Sequence, residues 1–144
     1  MQITIRNAAN ADVGVIVQFI QELAGENLET SSISAAYAAE YLVFPGCGIL
    51  LAEIQQQAVG LLSYSMHPNL YHAGDTALIE ELVVTEAYRG QGVGSALMKA
   101  AQQRFEDTGC AEVSVSTLID NQPAIAFYKK HGMLDEALLL EKHL

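Results

Sequence analysis

The stretch EAYRGQGVGSAL, residues 86–97, constrains the fold more than any other part of the chain. The apolar run Leu82-Val83-Val84 precedes it, and an apolar, alanine-containing stretch follows. The pattern is a strand, a glycine-rich turn and a helix start. At a helix N-terminus the first N–H groups lack intrahelical acceptors, and the helix dipole is positive there. Such a place stabilises an anion. Glycines let the backbone curl so that several N–H groups converge. Arg89 adds a cation at the loop entrance. Arg89, Gly90, Gln91, Gly92, Val93, Gly94 and Ser95 therefore form a candidate phosphate cradle, and a pyrophosphate would use several donors at once. The spacing Gly90-x-Gly92-x-Gly94 does not fit a Rossmann fingerprint, and no Gly-Lys-Ser/Thr follows as in a Walker loop. The competing reading is a tight turn whose glycines serve packing. Arg-x-x-Gly-x-Gly between a strand and a helix favours phosphate.

The rest of the chain reads as elements that could carry such a loop. Ile3 and Ile5 alternate in a short strand, Gln2 to Arg6. Asn10 is placed to cap a helix starting near Ala11, with Val13, Ile16, Val17, Ile20 and Leu23 at helical spacing. A second helix is predicted from Ser31 or Ser32 to Leu42. Gly48–Ile54 and Ala58–Met66 read as a hairpin around the glutamine turn, and HPNLYHAGD as a loop. Strands 76–85 and 112–117 flank a helix over 95–108, and a helix from Asn121 to His131 follows, closed by Gly132. Leu134–Leu144 is read as a terminal strand region. At 144 residues, with no repeat or linker, this makes one domain over 1–144. The order β-α-α-β-β-β-α-β-α-β predicts an α/β fold with a mixed sheet and helices on its faces.

Charge narrows the partners. The formal net charge is −10, which opposes nonspecific nucleic-acid binding. No Lys or Arg lies between Asn7 and Tyr88, a segment with ten carboxylates: Asp12, Glu22, Glu26, Glu29, Glu40, Glu53, Asp75, Glu80, Glu81 and Glu86. Solubility accounts for most of them, but such a surface also attracts a cation. No apolar run is long enough for a membrane helix, and the start MQITIRNAANAD lacks a secretory leader pattern. Cys47 and Cys110 read as small hydrophobes in a reducing cytoplasm rather than a disulfide. No metal-ligand constellation stands out.

Two motifs together carry a family resemblance. YRGQGVG, Tyr88 to Gly94, resembles the coenzyme A pyrophosphate loop of the GNAT superfamily of N-acetyltransferases. NQPAIAFYKKHGM, Asn121 to Met133, resembles that family's second motif, with Met133 in place of the usual Phe. ITIRNAANADV resembles its usual start, so the likeness spans the chain. It implies a GNAT-like, mostly antiparallel sheet of six to seven strands, with a splayed parallel pair formed by 76–85 and 112–117.

The resemblance also implies acetyl-CoA as cosubstrate and an amine as acceptor; the residues themselves suggest no metal. The splay leaves main-chain groups of Leu82, Val83 and Val84 for the pantetheine arm, with the Val84 N–H aimed at the thioester carbonyl. Asn121 caps its helix and, with Ala124, contacts the cofactor arm. Tyr128 occupies the general-acid position; the competing reading is a packed aromatic beside Phe127. The base is Glu80, four residues before Val84, or Glu81, or a carboxylate acting through one water. Strand alternation puts the two glutamates on opposite faces, so at most one should point at the acceptor. His67 and His72 read as surface residues near the acceptor cleft, and His131 and His143 as structural or exposed. A cationic acceptor is expected: a polyamine, an aminoglycoside, a lysine side chain or a protein N-terminus. A homodimer is a further expectation from the family. Two other functions share the loop: a degenerate CoA-binding regulatory module without turnover, and an unrelated nucleotide-binding enzyme.

Overall fold

A computed structural model describes residues 1–144. In chain order the elements are β1 (Thr4–Asn7), a 3-10 turn (Asn10–Asp12), α1 (Val13–Glu26), α2 (Ala35–Val43), β2 (Cys47–Ile54), β3 (Gln57–Asn69), β4 (Gly74–Val84), a second 3-10 turn (Glu86–Tyr88), α3 (Val93–Thr108), β5 (Glu112–Val115) and α4 (Gln122–Lys130). The strands form one sheet in the order β1-β2-β3-β4-β5. Every pairing is antiparallel except that of β4 with β5, which is parallel.

The sheet divides the core in two. On one face, Leu50, Leu62, Ala77 and Ile79 meet Val93, Leu97, Met98, Ala101 and Phe105 of α3, with Phe127 and Tyr128 of α4 at the edge. On the other, Ile49, Leu51, Leu61 and Val83 meet Ile16 and Phe19 of α1 and Ala38 of α2. Each fully buried large side chain contributes roughly 1.5–3 kcal/mol. That burial fixes α3, and so the helix end carrying the glycine loop. Helices cover both faces, as expected.

Four boundaries differ from the sequence reading. Asn10 makes no capping bond and lies in the 3-10 turn ahead of α1, where Asp12 Oδ2 accepts the Ala9 N–H at 2.8 Å. Asp12 also takes two bonds from Arg6, at 2.8 and 2.9 Å. The second helix starts later, at Ala35, because Ser34 rather than Ser31 or Ser32 caps it, accepting from the Tyr37 N–H at 3.1 Å. β3 runs on through His67, Pro68 and Asn69, where a loop was expected. β2 pairing stops at Cys47 opposite Ser65, so this end of β3 lies on an edge, where proline is tolerated. Finally, the sheet has five strands rather than six to seven, and residues 134–144 form no strand. Leu138, Leu139 and Leu140 are consecutive, so that segment lacks the two-residue alternation that would seat one face on a core.

Gln55 and Gln56 turn the β2–β3 hairpin with φ of 52° and 65°. Both are left-handed, as a type I′ hairpin turn requires.

Candidate active site

The glycine loop sits where a helix end meets an opened sheet. Gly90 and Gly92 have φ of +73° and +90°, and no other atom lies near where a Cβ would stand. Their role is therefore conformational: a left-handed bend that other residues adopt at a cost. The amides of Gly90 through Ser95 donate to no protein acceptor; the first intrahelical donor is Ala96, to Gly92 O at 3.0 Å. These free donors are consecutive and converge on the start of α3.

Two close approaches hold the loop in place. A Cβ on Gly60 of β3 would stand 2.9 Å from Val93 Cγ1, so only glycine lets α3 seat this closely on the sheet. A Cβ on Gly94 would stand 3.3 Å from the Phe127 ring, which ties α3 to α4. Ser95 Oγ lies 3.0 Å from His131 Nε2, adding a polar tie. Arg89 stands at the entrance, but its guanidinium is engaged. Its Nε donates to Val84 O at 3.0 Å, and its Nη2 pairs with Glu26 at the end of α1.

Beside the loop the sheet opens. β4 and β5 pair only from Thr76–Glu112 to Ile79–Val115, while β4 continues along β3 to Val84. The Thr85 N–H donates to Val59 O at 2.9 Å. With a two-residue period, the main chains of Leu82 and Val84 therefore face the gap. Val83 is turned the other way, paired with Leu61, and its side chain is buried beneath α1 and α2. Of the three residues expected to offer main chain, only Leu82 and Val84 do so.

A bulge shapes the other side of the site. Ser63 pairs with Glu81 but Tyr64 with Ile79, so Glu80 and Glu81 together oppose one residue. Ile79 and Leu82, three positions apart, consequently pack toward the same face, that of α3. Glu80 and Glu81 both open to the opposite face, contrary to simple alternation. There they line a cavity of about 610 Å³ between α1, α2 and the segment joining them. Its walls include Ile16, Ile20, Ile33, Leu61 and Tyr41, and no Lys, Arg or His reaches it. Glu80 is exposed and accepts from Ser65 Oγ at 3.3 Å. Glu81 is half-buried and accepts from Ser63 Oγ. Burial pushes the Glu81 carboxyl above its ordinary range; the Ser63 bond opposes this and the charge on Glu80 adds to it.

The second motif lies on the face of α3. Asn121 caps α4, its Oδ1 accepting the Ala124 N–H at 3.3 Å, with a proline in the first turn. Tyr128 is half-buried against the cluster that includes Leu82, Val84 and Val115, edge-on to Phe127 at 5.4 Å between ring centres. Burial raises its hydroxyl above the ordinary value, so it stays protonated at neutral pH. It does not line the cavity that holds the glutamates; it packs on the α3 face of the sheet and they open to the other.

His67 is exposed beside Thr76, and His72 pairs with Glu112 at 3.3 Å, both outside the cavity. No group of three His, Cys, Asp or Glu side chains is placed to share a metal ion, and both cysteines are free. No helix is long and apolar enough to cross a membrane.

Sequence inspection did not single out Ser63, Tyr41 or Glu26. The available signal for Ser63 was a lone serine inside the apolar run Val59–Tyr64.

Known proteins share this sequence pattern and fold. Residues 17–133 match the family described as "Acetyltransferase (GNAT) family". An aminoalkylphosphonate N-acetyltransferase of Salmonella typhimurium is 31% identical over 128 residues, 89% of this chain and 82% of its own. A thialysine N-epsilon-acetyltransferase of Sus scrofa is 30% identical over 146 residues, 92% of this chain and 85% of its own. The crystal structure of an aminoglycoside acetyltransferase from an uncultured soil metagenomic sample superposes with a TM-score of 0.85 at 22% identity, covering 99% of this chain and 95% of that one. The last likeness concerns the fold. The profile match and the relatives at 30% identity and above concern descent, and by them the chain belongs to the GNAT family of acetyltransferases.

Proposed function

We propose that the protein transfers the acetyl group of acetyl-CoA to the primary amine of a cationic acceptor, by direct attack while both are bound. One observation carries this reading: the unpaired amides of Gly90–Ser95 follow β4, the strand that outruns its pairing with β5 and also bears the two carboxylates of a cavity lined by no cation.

The residues present fit the cofactor. The Gly90–Ser95 amides would hold the pyrophosphate, joined by Arg89 once released from Glu26. Leu82 and Val84 would offer main chain to the pantetheine arm, and Asn121 and Ala124 would contact it from the start of α4. When bound, acetyl-CoA supplies an activated thioester. The Val84 N–H, turned away from β3, would be the donor for the negative charge that develops on the thioester oxygen.

The chemistry balances with this chain's own groups. The acceptor ammonium gives a proton to Glu80 or Glu81, directly or through one water, which frees the nitrogen lone pair. A C–N bond forms and the C–S bond breaks. Tyr128 would give its proton to the departing sulfur, the second proton leaving the nitrogen would restore the Tyr128 hydroxyl, and the proton held by the glutamate would pass to solvent. The raised carboxyl of Glu81 lies closer to an amine in basicity than an ordinary glutamate does.

The relatives suggest two kinds of acceptor. An aminoalkylphosphonate brings an anion into the acceptor site, and the cavity offers it two carboxylates and no cation. A cationic amine meets complementary charge in the same place. The competing reading, a CoA-binding module without turnover, has to leave the acidic cavity and a protonated Tyr128 unused. A homodimer in the cytoplasm belongs to the same proposal; mass in solution tests the oligomer. Thiol release from acetyl-CoA over an amine panel tests the function. Turnover with diamines and lysine-like amines, and little with aminophosphonates, is expected. Binding of CoA with no thiol release from any amine would leave the module reading.

A further inference from the structure

Only two polar residues are buried in this protein, Ser63 and Thr76. Ser63 is 3% exposed and sits within Val59–Tyr64 of β3, an otherwise apolar run. A hydroxyl in such a place costs stability unless it is hydrogen-bonded. Ser63 is bonded twice, and both partners belong to one residue. Its Oγ accepts the Glu81 N–H at 3.0 Å and donates to the Glu81 carboxylate. Glu81 pairs with Ser63 at the edge of the bulge, where its N–H reaches the serine hydroxyl.

We propose that Ser63 is a positioning residue that clamps Glu81 by main chain and side chain, making Glu81 the proton acceptor and leaving Glu80 to attract the acceptor's charge. This deepens the acetyltransferase reading and rests on it. The two glutamates differ in what holds them. Glu81 is half-buried and held from a buried serine on the neighbouring strand. Glu80 is exposed and has only a 3.3 Å contact from Ser65. A general base needs a fixed direction toward the nitrogen, whereas an electrostatic anchor needs only charge.

The groups facing Glu81 are few. Glu80 on β4 and Tyr37 and Tyr41 on α2 are the titratable ones lining the cavity. The Tyr41 hydroxyl is engaged, donating to Tyr64 O at 2.8 Å. α1 and the 31–34 segment contribute only isoleucines and serines. Ser63 is thus the main group holding the Glu81 carboxyl down against burial and against Glu80.

The test is the pH profile of kcat/KM for Ser63→Ala and Ser63→Thr, with a carboxyl NMR titration of Glu81 in each. Loss of the serine bond should raise the Glu81 titration and carry the acidic limb of the profile upward with it. It should also lower kcat/KM at neutral pH on the order of tenfold. Ser63→Thr, which keeps the hydroxyl, should restore both. Ser63→Cys, close in volume with a weaker donor, stands in if the alanine variant does not fold, and should move the limb the same way. A serine that merely supports the bulge would lower Tm and leave the limb in place. That result, or a Glu81 titration that moves while the acidic limb does not, overturns the proposal with acetyl transfer itself intact. Absence of turnover in the unaltered protein removes the enzymatic reading and this one together.

Discussion

Glu80 and Glu81 are adjacent in β4 and open to the same cavity, because the bulge opposite Ser63 brings both to the face of α1 and α2. Two carboxylates side by side in a cavity with no cation repel each other, and a positively charged amine relieves that repulsion. In the proposed reaction the same arrangement divides the work of the site between the two faces of the sheet. The glutamates lie on the side of α1 and α2, the protonated phenol of Tyr128 on α4 at the side of α3, and β4 runs between them.

Replacing Glu81 should separate activity from stability. Glu81→Gln should lower kcat/KM by on the order of a hundredfold, as loss of a positioned base does. The same variant should be more stable than the parent at neutral pH. The Glu81 carboxyl is raised in the folded chain, so folding favours its protonated form. Its stabilising effect is present at low pH and is lost as pH rises through the raised value. A neutral glutamine removes that loss. Thermal melts between pH 4 and 8, run beside thiol-release assays, check both halves.

Tyr128→Phe keeps the ring that packs on the α3 face and deletes only the hydroxyl. The expected result is a fall in kcat of on the order of a hundredfold, with calorimetric affinity for CoA unchanged. Equal turnover by the variant would return Tyr128 to the packed-aromatic reading.

Gly92→Ala places a Cβ in open space but at φ +90°. The left-handed conformation costs a non-glycine residue roughly 1–2 kcal/mol. The loop should relax away from its present bend and misalign the amides after it. Affinity for CoA should drop about tenfold or more, while far-ultraviolet circular dichroism stays that of the parent. Affinity equal to the parent's would mean that the bend is not needed for the phosphate.

Asp12 gives a stability prediction away from the site. Its carboxyl is held down to about 2 by the paired Arg6 guanidinium. A depressed carboxyl contributes stability above its ordinary value of 3.8 that is lost as pH falls toward about 2. Arg6 is 40% exposed, so solvent screens the pair and the contribution is about 1 kcal/mol. Asp12→Asn should lower Tm at pH 7 and flatten the acid loss of stability between pH 4 and 2.

Much of this was legible in the sequence because it is written in local rules. Gly90 and Gly92 announce a left-handed loop, Asn121 caps its helix, and the stripe Val13–Leu23 seats α1. What stayed hidden depends on partners distant along the chain. The bulge that puts Glu80 beside Glu81 is a register event between β3 and β4, and period-two reasoning on β4 alone gives the opposite geometry. The engagement of Arg89 by Glu26 joins residues from α1 and the loop. The missing strands follow the same logic, since Leu138–Leu140 carries apolar residues without the alternation that specifies an edge to join.

The unpaired amides of the loop are best tested one by one. Titrating nitrogen-15-labelled protein with CoA should shift the amide resonances of Gly90 through Ser95 first and most, and inorganic pyrophosphate should shift the same signals more weakly. Saturating CoA that leaves those resonances in place, or shifts that fall elsewhere in the protein, would contradict the account.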